Sequence, residues 1–259
     1  MPAHRTHVAV SLLCGLVSLV LSLERAVADD AADKGAAAKA AAAKQPDIST
    51  LPNDDLLKQA NAIFARGSGD YLAAVRALAG VEAQLDDVSK QLADLTPPKS
   101  EPKKYGDPKV KDTVNEAAAK AAVDAAKAKA DFARRRLKLA QTREQLQAKV
   151  AAAVEGMQSA AGAFQTALDD LKPFAVEIAL RFQDGTMTGA RPAGLLPDSL
   201  EMKRTELASQ QEKIKDRLSE ARRSVEATAK SLDEAEKAVS TADAEATEAG
   251  RVYAREQQR

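Results

Sequence analysis

The chain of 259 residues has no tryptophan, five phenylalanines and three tyrosines, one cysteine and two histidines. The cysteine (Cys14) and both histidines (His4 and His7) stand in its first fourteen residues. An N-terminal signal would carry all three away. The rest then has no Ser-His-Asp or Cys-His nucleophile system. It also has no zinc site of the usual His and Cys ligands, no common haem or iron–sulfur ligation and no disulfide. Net charge is equally lacking, with 38 basic and 38 acidic residues. A neutral chain has no general electrostatic pull toward nucleic acid or an anionic membrane.

The first residues have the layout of a secretory signal. Val8 to Leu23 is an uncharged, mostly apolar run, preceded by Arg5 and followed by Ala26-Val27-Ala28. The run is shorter than the roughly 20 residues of a spanning helix, and small-x-small is a cleavage signature. Cleavage after Ala28 is expected, giving an exported, periplasmic or secreted protein. Membrane contact is expected only if this segment stays uncleaved as an anchor. Leu13 before Cys14 argues against lipidation, which needs a small residue there. Removing residues 1–28 takes away Arg5, Arg25 and Glu24, leaving 36 basic and 37 acidic residues.

What remains is alanine-rich and reads as all-α, a long antiparallel coiled-coil hairpin with a shorter third helix packed at one end. Residues 29–52 are an Ala/Lys-rich flexible tether, because alanine and lysine favour helix but offer no apolar face to dock. Residues 53–95 read as a short helix, Asp54 to Arg66, ended by Gly67-Ser68-Gly69, and then a heptad helix. The seam of the latter is Ala74, Leu78, Val81, Leu85, Val88, Leu92 and Leu95. Thr96-Pro97-Pro98 stops it, and 96–112 is a Pro- and Lys-rich loop.

Residues 113–259 form the expected hairpin, with a tip loop near 184–197. Thr113 and Glu116 make a capping-box start. The first arm has the seam Leu146, Val150, Ala153, Met157, Ala160, Phe164, Ala167 and Leu171. The second has Leu218, Ala221, Val225, Thr228, Leu232, Ala235, Val239, Ala242, Ala246, Ala249 and Tyr253. Alanine at alternate layers allows close backbone approach.

Basic residues from Lys120 through Lys129 and Arg134-Arg135-Arg136 to Lys138 would face acidic ones from Asp233 to Glu248. That favours an antiparallel register. The arginine run could contact phosphate, but the facing acids make internal pairing the better expectation. The wide alanine face from Ala117 to Ala140 suggests that the third helix folds back there, leaving the tip half two-stranded. Residues 173–183 alternate like a strand yet continue the helical seam through Pro173, and a kinked helix is the favoured reading.

Ala60, Phe64, Gly67, Tyr71 and Ala74 resemble the helix–turn–helix spacing of a tetratricopeptide unit. The match covers about 15 residues, has two extra in the turn and is not repeated, whereas such units need neighbours to stack on. No function is carried over from it. Paired acids such as Asp54-Asp55, Asp86-Asp87, Asp169-Asp170 and Asp233-Glu234 read as solvated helix faces. The tip glycines Gly185, Gly189 and Gly194 lack the lysine of a phosphate loop.

No catalytic residue, cofactor, metal or small-molecule substrate is expected. The expected function is that of a non-enzymatic spacer, scaffold or protein-interaction module in the cell envelope, working through a protein partner or self-association. The alternatives are a periplasmic holdase-type chaperone and an adaptor in an envelope transport or secretion complex. Phe174, Ile178, Phe182, Leu195 and Leu196 are the candidate partner-contact residues at the tip.

Overall fold

A computed structural model of the chain describes residues 47–98 and 112–258, with the side chains of 112–115 excepted. The expected signal, its cleavage site, residues 29–46 of the tether and most of the 96–112 loop lie outside these residues, as does the Thr113 side chain of the capping box. Among the described residues the protein is all-helical, with no strand. A 3-10 turn, Ile48–Thr50, precedes α1, Asn53–Asp94. Then come α2, Asp112–Gln183, a second 3-10 turn at Ala193–Leu195, and α3, Pro197–Gln257. At 1.5 Å per residue the three helices are about 63, 108 and 92 Å long.

The two long helices run antiparallel. Ion pairs join Lys129 to Glu245 (3.6 Å), Arg134 to Asp243 (2.8 Å), Glu155 to Arg222 (2.7 Å) and Asp169 to Arg204 (3.2 Å). The basic stretch of α2 thus meets the acidic stretch of α3, as their charges suggest. In this register the buried positions Ala133, Ala140, Gln147, Val154, Ala161, Leu168 and Ala175 of α2 stand opposite Ala242, Ala235, Thr228, Ala221, Ile214, Leu207 and Leu200 of α3. Both series step by seven residues, the spacing that keeps one face of a helix turned toward a partner.

On α3 Ala221, Thr228, Ala235 and Ala242 of the expected seam are the central, buried ones, and Leu218, Val225, Leu232 and Val239 flank them half-buried. On α2 the seam is turned slightly from the expected one. Val154, Ala161 and Leu168 are buried, while Ala153, Ala160 and Ala167 are half-buried. The reason is that α2 carries a neighbour on each side. Its apolar face must be wide enough for α1 as well as α3, so the centre of burial shifts by one position.

Three expectations need correction. First, α1 is one continuous helix through Gly67-Ser68-Gly69. Ala60, Phe64, Gly67, Tyr71 and Ala74, spaced like a tetratricopeptide unit, are the inward face of a single helix. Gly67 is a contact glycine: a Cβ there would lie 2.9 Å from both Ala167 Cβ and Phe164 Cδ2. Two glycines in a helix cost about 1 kcal/mol each. Burying Phe64 and Tyr71 on either side, at about 1.5–3 kcal/mol per large side chain, outweighs that.

Second, the third helix covers the tip half, not the Ala117–Ala140 end. Asn53 lies beside Arg181, Gly67 beside Phe164, and Leu95 shares a cavity with Phe132 and Ala140. Burial of large side chains chose that placement: Phe164, Leu168, Leu171, Phe174 and Ile178 all lie in the tip half of α2. Alanines, however wide their face, offer a third helix far less apolar area.

Third, Asp47 to Pro52, which composition assigns to the tether, includes an ordered 3-10 turn whose carbonyls are bound to Arg181. Residues 173–183 are helical, as favoured, with Pro173 inside α2.

Candidate functional site

The tip is assembled around Arg181, on the last turn of α2. Its side chain is nearly buried, and every arm is engaged. Nε donates to Glu177 Oε1 (2.7 Å), and Nη1 to Leu51 O (2.6 Å) and Asn53 Oδ1 (2.8 Å). Nη2 donates to Ser49 O (2.9 Å) and Ile48 O (3.3 Å). A planar guanidinium with five fixed donors suits such a cluster of carbonyls, which a lysine could not satisfy together. Asn53 Nδ2 in turn donates to Thr186 O (2.8 Å), so one helix start, one helix end and the tip loop are tied together.

The loop itself is set by Asp184, which accepts from the Thr186 hydroxyl (2.6 Å) and the Thr186 backbone N–H (2.9 Å). These bonds favour the carboxylate and hold it below its ordinary value of 3.8, the hydroxyl bond contributing most. Gly185 (φ 78°) and Gly189 (φ 110°) adopt backbone angles that side chains disfavour. Between them Met187 is buried, its N–H donating to Arg181 O (2.9 Å).

One step below the loop, Phe164 stands between Phe64 (edge-on, centroids 5.7 Å apart) and Tyr71 (stacked, 6.2 Å). Lys203 of α3 places its ammonium 4.6 Å from the Phe64 ring centre and donates to Gly194 O (2.9 Å). Burial pushes this amine below its ordinary 10.5. Burial also raises the Tyr71 hydroxyl above 10.0, with a smaller push from the Glu206 charge. The Lys203 ammonium is occupied by a carbonyl and a ring, which is a holding role.

Of the five residues expected to form an exposed contact tip, the structure buries three: Phe174, Ile178 and Leu195. Phe182 is half-buried under Arg191, whose guanidinium lies 5.7 Å from the ring centre, and Leu196 is half-buried before α3. The expectation of exposure fails because α1 and the returning loop cover this end.

Among the described residues the exposed large apolar ones are instead Val176 (51%), Leu180 (50%) and Met202 (68%). Strand-like alternation puts 174, 176, 178, 180 and 182 on one side, but helical geometry turns Val176 and Leu180 outward. The sequence reading also missed Arg181. The available signal was a basic residue four positions after Glu177 within an otherwise apolar run.

Among the described residues no group of three or more His, Cys, Asp or Glu could hold a metal ion, and no helix is long and apolar enough to cross a membrane. Comparison with protein families, characterised proteins and solved structures finds no match to this chain.

Proposed function

We propose that this is an exported, non-enzymatic coiled-coil protein that serves as a stiff spacer and protein-interaction module in the cell envelope. One observation carries the reading: buried positions recur every seven residues on both long helices, in one antiparallel register, from Ala133 and Ala242 to Ala175 and Leu200. Such a seam specifies a rod and leaves the outer faces free for partners. Export rests on the n-region, apolar run and Ala26-Val27-Ala28 of the first 28 residues.

Crosslinking followed by pull-down from intact cells tests the role, and N-terminal sequencing of the recovered protein tests the export. The expected result is a mature chain starting at Asp29, captured with an envelope protein, and a particle at least about 110 Å long in solution scattering. A compact particle, or a chain retained in the cytoplasm with its first residues intact, would end this reading. The holdase alternative needs exposed apolar surface at the tip, where Phe174, Ile178 and Leu195 point inward and Val176 and Leu180 are what remain.

A further inference from the structure

Where α1 ends, its two neighbours continue. Leu95 is extended and Pro97 follows, so the third helix stops abruptly beside α2 residues 132–143. The flank it would have covered holds a cavity of about 360 Å³. Leu92, Leu95, Phe132 and Ala140 give it an apolar side, and Arg136, Arg143, Thr228 and Ser231 line it with polar groups. The volume is at the lower end of the range for small-molecule sites, enough for one slender apolar body.

The two arginines of the lining are not engaged in the pairing between the long helices. Lys129 and Arg134, on the same helix, are committed to Glu245 and Asp243. Among the described residues neither Arg136 nor Arg143 has an ion pair or a hydrogen bond. Seven residues apart on one helix, they share a face and stand about 10.5 Å apart along it. The Thr228 hydroxyl on the opposite wall is satisfied by Ser224 O and Val225 O, which leaves Ser231 as the further hydroxyl of the lining.

We infer that this cavity binds a single-chain amphiphile with a carboxylate head, its apolar chain between Leu92, Leu95 and Phe132 and its carboxylate at Arg136 and Arg143. An arginine fork is matched to a carboxylate, and apolar walls reward the chain. The inference does not depend on the spacer role, since it concerns one cavity and its charge.

The test is titration of the full chain with dodecanoate, dodecanol and dodecylammonium, each below its micelle concentration, followed by calorimetry and by methyl and ring NMR shifts. Dodecanoate should bind at one site, with shifts at Leu92, Leu95 and Phe132. Dodecanol should bind at least about tenfold weaker, one charge-assisted contact being worth about that factor. Dodecylammonium should not bind. The double variant Arg136→Gln/Arg143→Gln, both side chains being exposed, should keep the wild-type melting temperature and bind dodecanoate no better than dodecanol. Equal binding of the three amphiphiles, undiminished binding by the double variant, or shifts centred elsewhere would each overturn the inference.

Discussion

The two halves of the helical hairpin use the same pair of long helices and solve packing in opposite ways. In the tip half, three helices enclose Phe64, Tyr71, Phe164, Leu168, Leu171, Phe174 and Ile178. In the far half, by the register of the ion pairs, α3 is the one described helix beside α2 before about residue 132. There the buried residues are Ala119, Ala122, Val123, Ala125, Ala126 and Ala130. Ala130, Ala133 and Ala242 form a small core with Val239 packed on it.

Large side chains stabilise through the apolar area they remove from water, about 25 cal/mol per Å². Alanines give little area but let backbones approach closely, so charged pairs such as Arg134–Asp243 can reach across. Those pairs are exposed and individually worth up to about 1 kcal/mol. The tip half therefore holds most of the stability, and the far half holds most of the charge pattern that fixes direction.

The strongest way to break this contrast is to remove the aromatic centre. Phe164→Ala should lose about 3–5 kcal/mol, because the ring's contacts with Phe64 and Tyr71 vanish and a cavity remains. Ala133→Gly in the far half should lose only about 1 kcal/mol, mostly from helix propensity. Urea unfolding of the two variants, followed by circular dichroism, measures the difference; equal losses would show that the halves are not unequal in this way.

Next in size is Arg181→Met, which leaves the carbonyls of Ser49 and Leu51 without the guanidinium, while Ile48 O keeps the Leu51 N–H. A cost of about 1–3 kcal/mol is expected. Hydrogen exchange should quicken at residues 48–53 and 184–187 before it changes at Phe164, since the clasp lies at the end of the bundle.

Glycine substitutions sharpen the comparison with opposite signs. Gly67→Ala should destabilise by about 1–3 kcal/mol, since its Cβ would press on Ala167 and Phe164. Gly250→Ala, with nothing within 4 Å of the new Cβ, should stabilise α3 by up to about 1 kcal/mol. Melting temperatures of the two proteins should move in opposite directions.

The smallest effect is in the pH dependence of the tip loop. Asp184 has a folded-state value depressed below 3.8, so its contribution is present above that value and is lost as pH falls through the lower, folded one. Carboxyl NMR should show Asp184 titrating below 3.8, and Thr186→Ala should move it back toward that value without changing the far half.

Helical class, antiparallel direction and the seven-residue seam of α3 were legible in the order of residues. They depend on local spacing and on charge blocks that pair wherever two arms meet. The end covered by α1 was not legible. Nearest-neighbour pattern counts apolar positions without weighing their size, and it gave a broad alanine face the same claim as Phe164 and Leu168. The candidate tip residues failed for a related reason. Apolar character was readable at Phe174, Ile178 and Leu195, but exposure depends on what folds over them.

By itself, the sequence determined that the described part is helical, that its long arms run in opposite directions and that any histidine or cysteine chemistry is confined to the first fourteen residues. Only the tertiary structure decided that Gly67 joins two stretches of helix, that Arg181 clasps the chain entering α1, and that a cavity opens where α1 stops. The physical reason is the same in each case. Periodicity and charge are properties of one helix, whereas close approach, carbonyl capture and an uncovered flank exist only once a second or third helix has taken its place.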